Sequence, residues 1–145
     1  MSVEITGLRD LQKALRQFPK NVQKNICVGA NRAAAARIAK SAKMKVSVRT
    51  GTLKRSIRVV KRKTENNAVI KHSVSAGGKV KWSTKGEKKT GDAFYAHMVE
   101  FGTSKMSAQP FMRPALEEAG GYSLKEYKAY AAKRIDKEIK KAKNG

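Results

Sequence analysis

A chain of 145 residues can bury a modest core but is too short to divide it, so one domain over 1–145 is expected. Hydrophobic residues at 40% exclude wholesale disorder, while 33 Lys and Arg against 11 Asp and Glu leave a net charge of +22, which repels itself unless a polyanion is near. Cys27 is the only cysteine, which excludes an intrachain disulfide and suits a reducing compartment; neither a signal peptide nor the roughly 20 apolar residues of a membrane span can be read, so no membrane is expected as partner.

Leu8, Leu11, Leu15 and Phe18 recur at steps of three and four, predicting a short amphipathic helix with Thr6 as its cap. Pro19 suits the first position of a second helix, because a proline there has no amide hydrogen to leave unsatisfied. That helix is expected to reach Val46. Its first half carries Val22, Ile26, Ala30 and Ala33 on one side, whereas its second half shifts to Ala35, Ile38, Ala39 and Ala42. No single stripe describes it. Such an alanine-rich surface permits close approach of a neighbour, within the fold or across a subunit boundary. Between Leu11 and Thr64 there are 16 basic residues and no acidic one. Nucleic acid, bound through phosphate without regard to sequence, is the commonest partner for such a stretch; a solubilising surface is the alternative.

Thr50-Gly51-Thr52 breaks the helical pattern, and residues 56–63 and 68–75 then read as strands around the turn Thr64-Glu65-Asn66-Asn67. A third strand follows Gly77-Gly78, with Val80 and Trp82 facing one way and Lys79, Lys81 and Ser83 the other. Residues 85–92, rich in glycine and lysine and without an apolar anchor, are predicted to be a mobile loop. In the last third, Ser123-Leu124-Lys125-Glu126 matches a capping box and Leu124, Tyr127, Ala131, Ile135, Ile139 and Ala142 form a stripe. A C-terminal helix over 120–145 is expected, set off by a hinge at Gly120-Gly121. The fold class is therefore α+β: two N-terminal helices, a small and mostly antiparallel sheet, and a C-terminal helix.

Catalytic chemistry finds little support. His72 and His97 are the only histidines, and His97 could share a helical face with Glu100 to pass a proton or bind a metal, but two ligands without a third make a poor metal site. Gly77-Gly78-Lys79 lacks the spacing of a phosphate-binding loop. Trp82, between Lys81 and Lys85, is the one hint of a base-stacking residue. No catalytic residue, metal site or cofactor is assigned.

The stretch from Phe94 to Leu116 is more specific. Tyr95-Ala96, Glu100-Phe101-Gly102-Thr103, Ala108-Gln109-Pro110-Phe111 and Arg113-Pro114-Ala115-Leu116 fall in the order of a motif from tailed phages. With Arg49-Thr50-Gly51-Thr52-Leu53, then Ser56-Ile57, and with Gly7-Leu8 opening the first helix, the chain resembles the neck or tail-completion family, the gene-ten-like family of lambda-like siphophages.

The resemblance implies a role, the acid-free stretch suggests what faces DNA, and the motif's own residues suggest an architecture. The resemblance implies a non-enzymatic virion protein, assembled in the host cytoplasm, with a fold like that of tail-terminator ring subunits. It implies a homo-oligomeric ring, a hexamer, at the head–tail junction between a head-side connector or closure protein and the tail tube, with phage DNA passing through. Lys40, Lys43, Lys45, Arg49, Lys54 and Arg55 would then be candidates to face DNA in the lumen. In the motif itself, Phe101 is expected to be a buried aromatic beside Gly102, Pro110, Phe111 and Pro114 to brace the start of a helix, and Glu100 and Arg113 to pair. These positions either hold the fold together or shape an interface between subunits. The rivals are a small basic protein that binds nucleic acid without regard to sequence, and a nuclease-like enzyme using His97 and Glu100.

Overall fold

The computed structural model describes residues 7–49, 51–66 and 68–145. In chain order these form α1 (Leu8–Arg16), α2 (Lys20–Lys45), α3 (Thr52–Ser56), β1 (Arg58–Arg62), β2 (Lys71–Ser75), β3 (Lys79–Thr84), β4 (Glu87–Asp92), α4 (Ala96–Phe101) and α5 (Met112–Asn144). The fold is α+β. Its strands pair as two separate antiparallel hairpins, β1 with β2 and β3 with β4, and each stays two-stranded.

The frame is the pair α2 and α5. The N-terminal half of α2 meets the C-terminal half of α5 in a cluster of Leu11, Ile26, Ala30, Ala131 and Ile135, ringed by Phe18, Tyr127 and Ile139. At the other end Ala39 and Ala42 of α2 meet Ala115 of α5, so the helices run antiparallel. Alanines at both ends bring the two backbones close, and a Cβ at Gly29 would fall on the Tyr130 ring. The shifting stripe of α2 has a cause: α5 lies along it, and the β1–β2 hairpin packs on it as well. A helix buried from two directions shows no single apolar face.

Several expectations change. Thr6, the expected cap of α1, and Asn67 of the first turn lie outside the described residues; Gly7 is the N-cap of α1, and Pro19 is the N-cap of α2. A short helix, α3, stands where the first strand was expected to begin, with Gly51 as its left-handed N-cap. Residues 85–92 are no loop: Lys85 and Gly86 form a two-residue turn, both in the left-handed region at φ 49° and 84°, and 87–92 is strand β4. Positive φ at both central positions is what a type I′ hairpin requires. The strand hid because its Glu-Lys-Lys-Thr-Gly-Asp sequence has no apolar alternation, and its backbone ladder supplies the order.

Gly120 and Gly121 make no hinge, since α5 runs through them unbroken. Ala115 and Ala119 before the pair and Ala131 and Ile135 after it are buried, and that packing outweighs the poor helix propensity of two glycines. The capping box of Ser123 is absent for the same reason. Its hydroxyl, now inside the helix, donates to the Gly120 carbonyl at 2.7 Å. Among the described residues no helix is long and apolar enough to cross a membrane.

Candidate functional site at the junction of α4 and α5

A helix begins with amides that have no intrahelical acceptor. The N-cap of α5 is Phe111, whose side chain cannot accept a hydrogen bond. Glu100, at the end of α4, takes over that task. Its Oε2 accepts from the amides of Phe111 and Met112 at 2.8 and 2.9 Å, and its Oε1 accepts from the amide of Arg113 at 3.0 Å. The next residue is Pro114, which has no amide hydrogen, so the whole first turn is satisfied by one carboxylate. Burial pushes the Glu100 carboxyl up, but the three amides, and behind them the Arg113 charge, outweigh it and hold the group below its ordinary value. Glu100 and Arg113 are expected to pair across a fold or subunit boundary; the bond formed within the chain comes from the Arg113 amide.

Between these partners the chain folds back on α4. Gly102 has φ 76°, and a Cβ there would lie 2.7 Å from the Ala108 nitrogen, so a side chain is excluded by both torsion and space. Thr103 donates its amide to the Met106 carbonyl at 2.8 Å, and Gln109 donates to the Val99 carbonyl at 2.8 Å. Pro110 then leads into Phe111, which is 1% exposed.

Phe101 corrects an expectation. It is not buried but 73% exposed, because the residue before it turns inward to cap α5 and its own side chain is left pointing out. Phe94 is 65% exposed, and Leu116 is exposed as well. Tyr95 is half-buried, with its ring edge-on to Phe94 at 5.6 Å.

The second motif meets the first in one core. Leu53 and Ile57 join Ala96, Phe111 and Ala115 in a single buried cluster. The buried Ser56 hydroxyl donates to the Leu53 carbonyl at 2.6 Å and accepts from the Gly77 amide at 2.9 Å, tying α3 to the connection between the hairpins. Thr50 lies outside the described residues. Arg49, Gly51 and Leu53 line a groove of about 690 Å³ with Tyr95, Val99, Thr103 and Met106. The two motifs are therefore neighbours in space, with an open groove between them.

The six basic residues separate into two groups. Lys40 and Lys43 lie on α2, and Lys45 forms an ion pair with Glu118 of α5. Arg49 is exposed before α3; Lys54 and Arg55 lie on α3, and the Arg55 guanidinium sits 4.7 Å over the Trp82 ring. Trp82, half-buried, therefore has an arginine of its own chain over its ring. The Nδ1 of His97 lies 3.1 Å from the Phe94 carbonyl, and the oxygens of Glu100 are taken by α5, so the two do not form an acid–base pair. His72 lies on β2; burial first, then the charges of Lys61 and Arg32, lower its pKa.

Reasoning from sequence missed Glu100 as a cap. A signal was present: a helix opening Phe111-Met112-Arg113-Pro114 carries no capping side chain, and Glu100 is the only acidic residue in 93–116.

Motifs whose side chains build a core and cap a helix define a structural component. The chain belongs to the HK97-gp10-like family of phage tail components, whose model, described as "Bacteriophage HK97-gp10, putative tail-component", matches residues 9–102 of 145. The match takes in Arg49 to Ile57 and Tyr95 to Gly102, and stops before Thr103. Comparisons with curated proteins and with solved structures give no match.

Proposed function

We propose that this protein is one subunit of a ring at the phage head–tail junction, seated between a head-side connector or closure protein and the tail tube, with the genome passing through it. The observation that carries the reading is the pair Phe94 and Phe101. Two phenylalanines are held on the surface by a junction whose inward groups are already satisfied, so their exposure is a product of the fold. Exposed aromatics beside a groove suit a protein interface. A patch on one subunit meeting a different patch on the next closes into a ring when the rotation closes, and a hexamer is the expected number. The acid-free stretch between Leu11 and Thr64 would lower the potential for DNA in the lumen without reading its bases. Virion localisation follows from the same reading.

Light scattering and negative-stain imaging of the purified chain, alone and mixed with the adjacent head and tail proteins, test it. Closed rings that are lost in the F94S/F101S variant support it. A wild-type protein that stays monomeric in every mixture ends it. A second reading, a small basic protein that binds nucleic acid without regard to sequence, is favoured by the net charge of +22. Under it, binding to duplex DNA persists in a monomer.

A further inference from the structure

The β3–β4 ribbon has two chemically different faces. Its register pairs Val80 with Gly91 and Trp82 with Lys89. Arg55 of α3 stacks on Trp82, and Thr52 of α3 lies against Gly91, so that face looks toward α3. Alternation sends Lys79, Lys81 and Ser83 of β3, and Lys88 and Thr90 of β4, to the opposite face. All five are exposed and none is apolar. Among the described residues no ion pair engages the three lysines, and the carboxylate opposite Lys79, that of Asp92, accepts from the Phe94 amide at 3.1 Å.

We infer that this outer face of the ribbon is a contact surface for the sugar–phosphate backbone of duplex DNA. It rests on the reading above that DNA passes the subunit, and it names a surface apart from the basic residues of α2 and α3. Charge sets the class of partner: three lysines and two hydroxyls on a face with no carboxylate but the tethered Asp92 fit a polyanion. Spacing narrows it. Lys79 and Lys81, two residues apart on a strand, are separated by about 6.6 Å, and over such a length one DNA strand, with a charge about every 3.4 Å of its axis, presents more than one phosphate. Ser83 and Thr90 add donors of the kind that hold phosphate oxygens and fix register without reading sequence. A lipid surface fits poorly, because the face has no apolar side chain to insert. Single strands fit poorly as well, because the ribbon's aromatic residue, Trp82, faces α3.

The test is a salt series of affinities for a random-sequence duplex, read by fluorescence anisotropy on the full chain, with light scattering on each sample. Each phosphate contact adds about 0.9 to the slope of log affinity against log salt, so K79Q/K81Q/K88Q should lower the slope by about 2 to 3. The K79R/K81R/K88R variant should keep it. The control K40Q/K43Q/K54Q, with the same loss of charge, should change it far less. Equal slopes for wild type and the glutamine ribbon variant, or an equal loss in the control, overturn the assignment and leave DNA passage standing. A wild type that ignores DNA at low salt overturns both. Preference for single strands or for phosphatidylserine vesicles over duplex overturns the choice of partner. Ribbon-dependent binding by a protein that never forms rings sinks the ring and keeps the contact.

Discussion

The two ends of the α2–α5 pair are held by different means. At one end α1 lays Leu11 on Ile26, Ala30, Ala131 and Ile135, and the attachment is apolar side chain against apolar side chain. At the other, residues from α2, α3, α4 and α5 converge on Phe111, and two polar side chains fix their mutual positions: the Ser56 hydroxyl and the Glu100 carboxylate. The first arrangement follows from periodicity alone. The second needs particular atoms at particular places, which is the kind of constraint that leaves a fixed-order motif in a sequence.

Removing the convergent ring should do the most damage. Phe111→Ala opens a cavity in a fully buried site and is expected to cost about 3–5 kcal/mol by urea denaturation; a loss below about 1 kcal/mol would mean that the junction collapses freely around the gap. Ile135→Ala at the helical end should cost about 2–4 kcal/mol, a cavity of smaller volume in the same kind of packing.

Glu100→Gln keeps the shape of the cap and removes its charge, with an expected cost of about 1–2 kcal/mol near neutral pH. Its pH dependence separates it from a packing defect. Because the folded carboxyl titrates below its ordinary 4.5, the stabilisation is present above that value and is lost as pH falls through the lowered one. Wild type should therefore lose stability on acidification by an increment that the glutamine variant lacks; parallel curves for the two would refute the capping role. The smallest effect has the opposite sign. Gly120→Ala, where a Cβ meets nothing within 4 Å, should raise stability by about 0.5–1 kcal/mol, seen as a higher urea midpoint.

These contrasts also explain what could be read in advance. The steps from Tyr127 to Ile139 and from Leu11 to Phe18 gave the C-terminal half of α5 and α1, because residues that meet in one apolar cluster recur at helical spacing. Strand β4 stayed hidden, since five of its six residues are exposed and none is apolar, so that only the turn at Lys85-Gly86 marks it. Gly120-Gly121 misled, because local propensity is weak beside packing on α2 both before and after the pair. At the site, the motif residues were legible as a set, but Phe101 was placed on the wrong side of the surface. Which of two adjacent residues turns inward depends on where α5 begins, and periodicity does not reach across an irregular connection.

The bond from Glu100 to the opening of α5 has an evolutionary consequence. It clasps the two ends of an exposed segment that is otherwise folded back by main-chain bonds, and Gly102 is the position where no side chain fits. Residues such as Ser104, Lys105 and Ser107 can be exchanged without unfastening it. A lineage that must fit a new neighbour can thus alter the outer surface of this stretch while leaving the hidden fastening, and the folding it secures, unchanged.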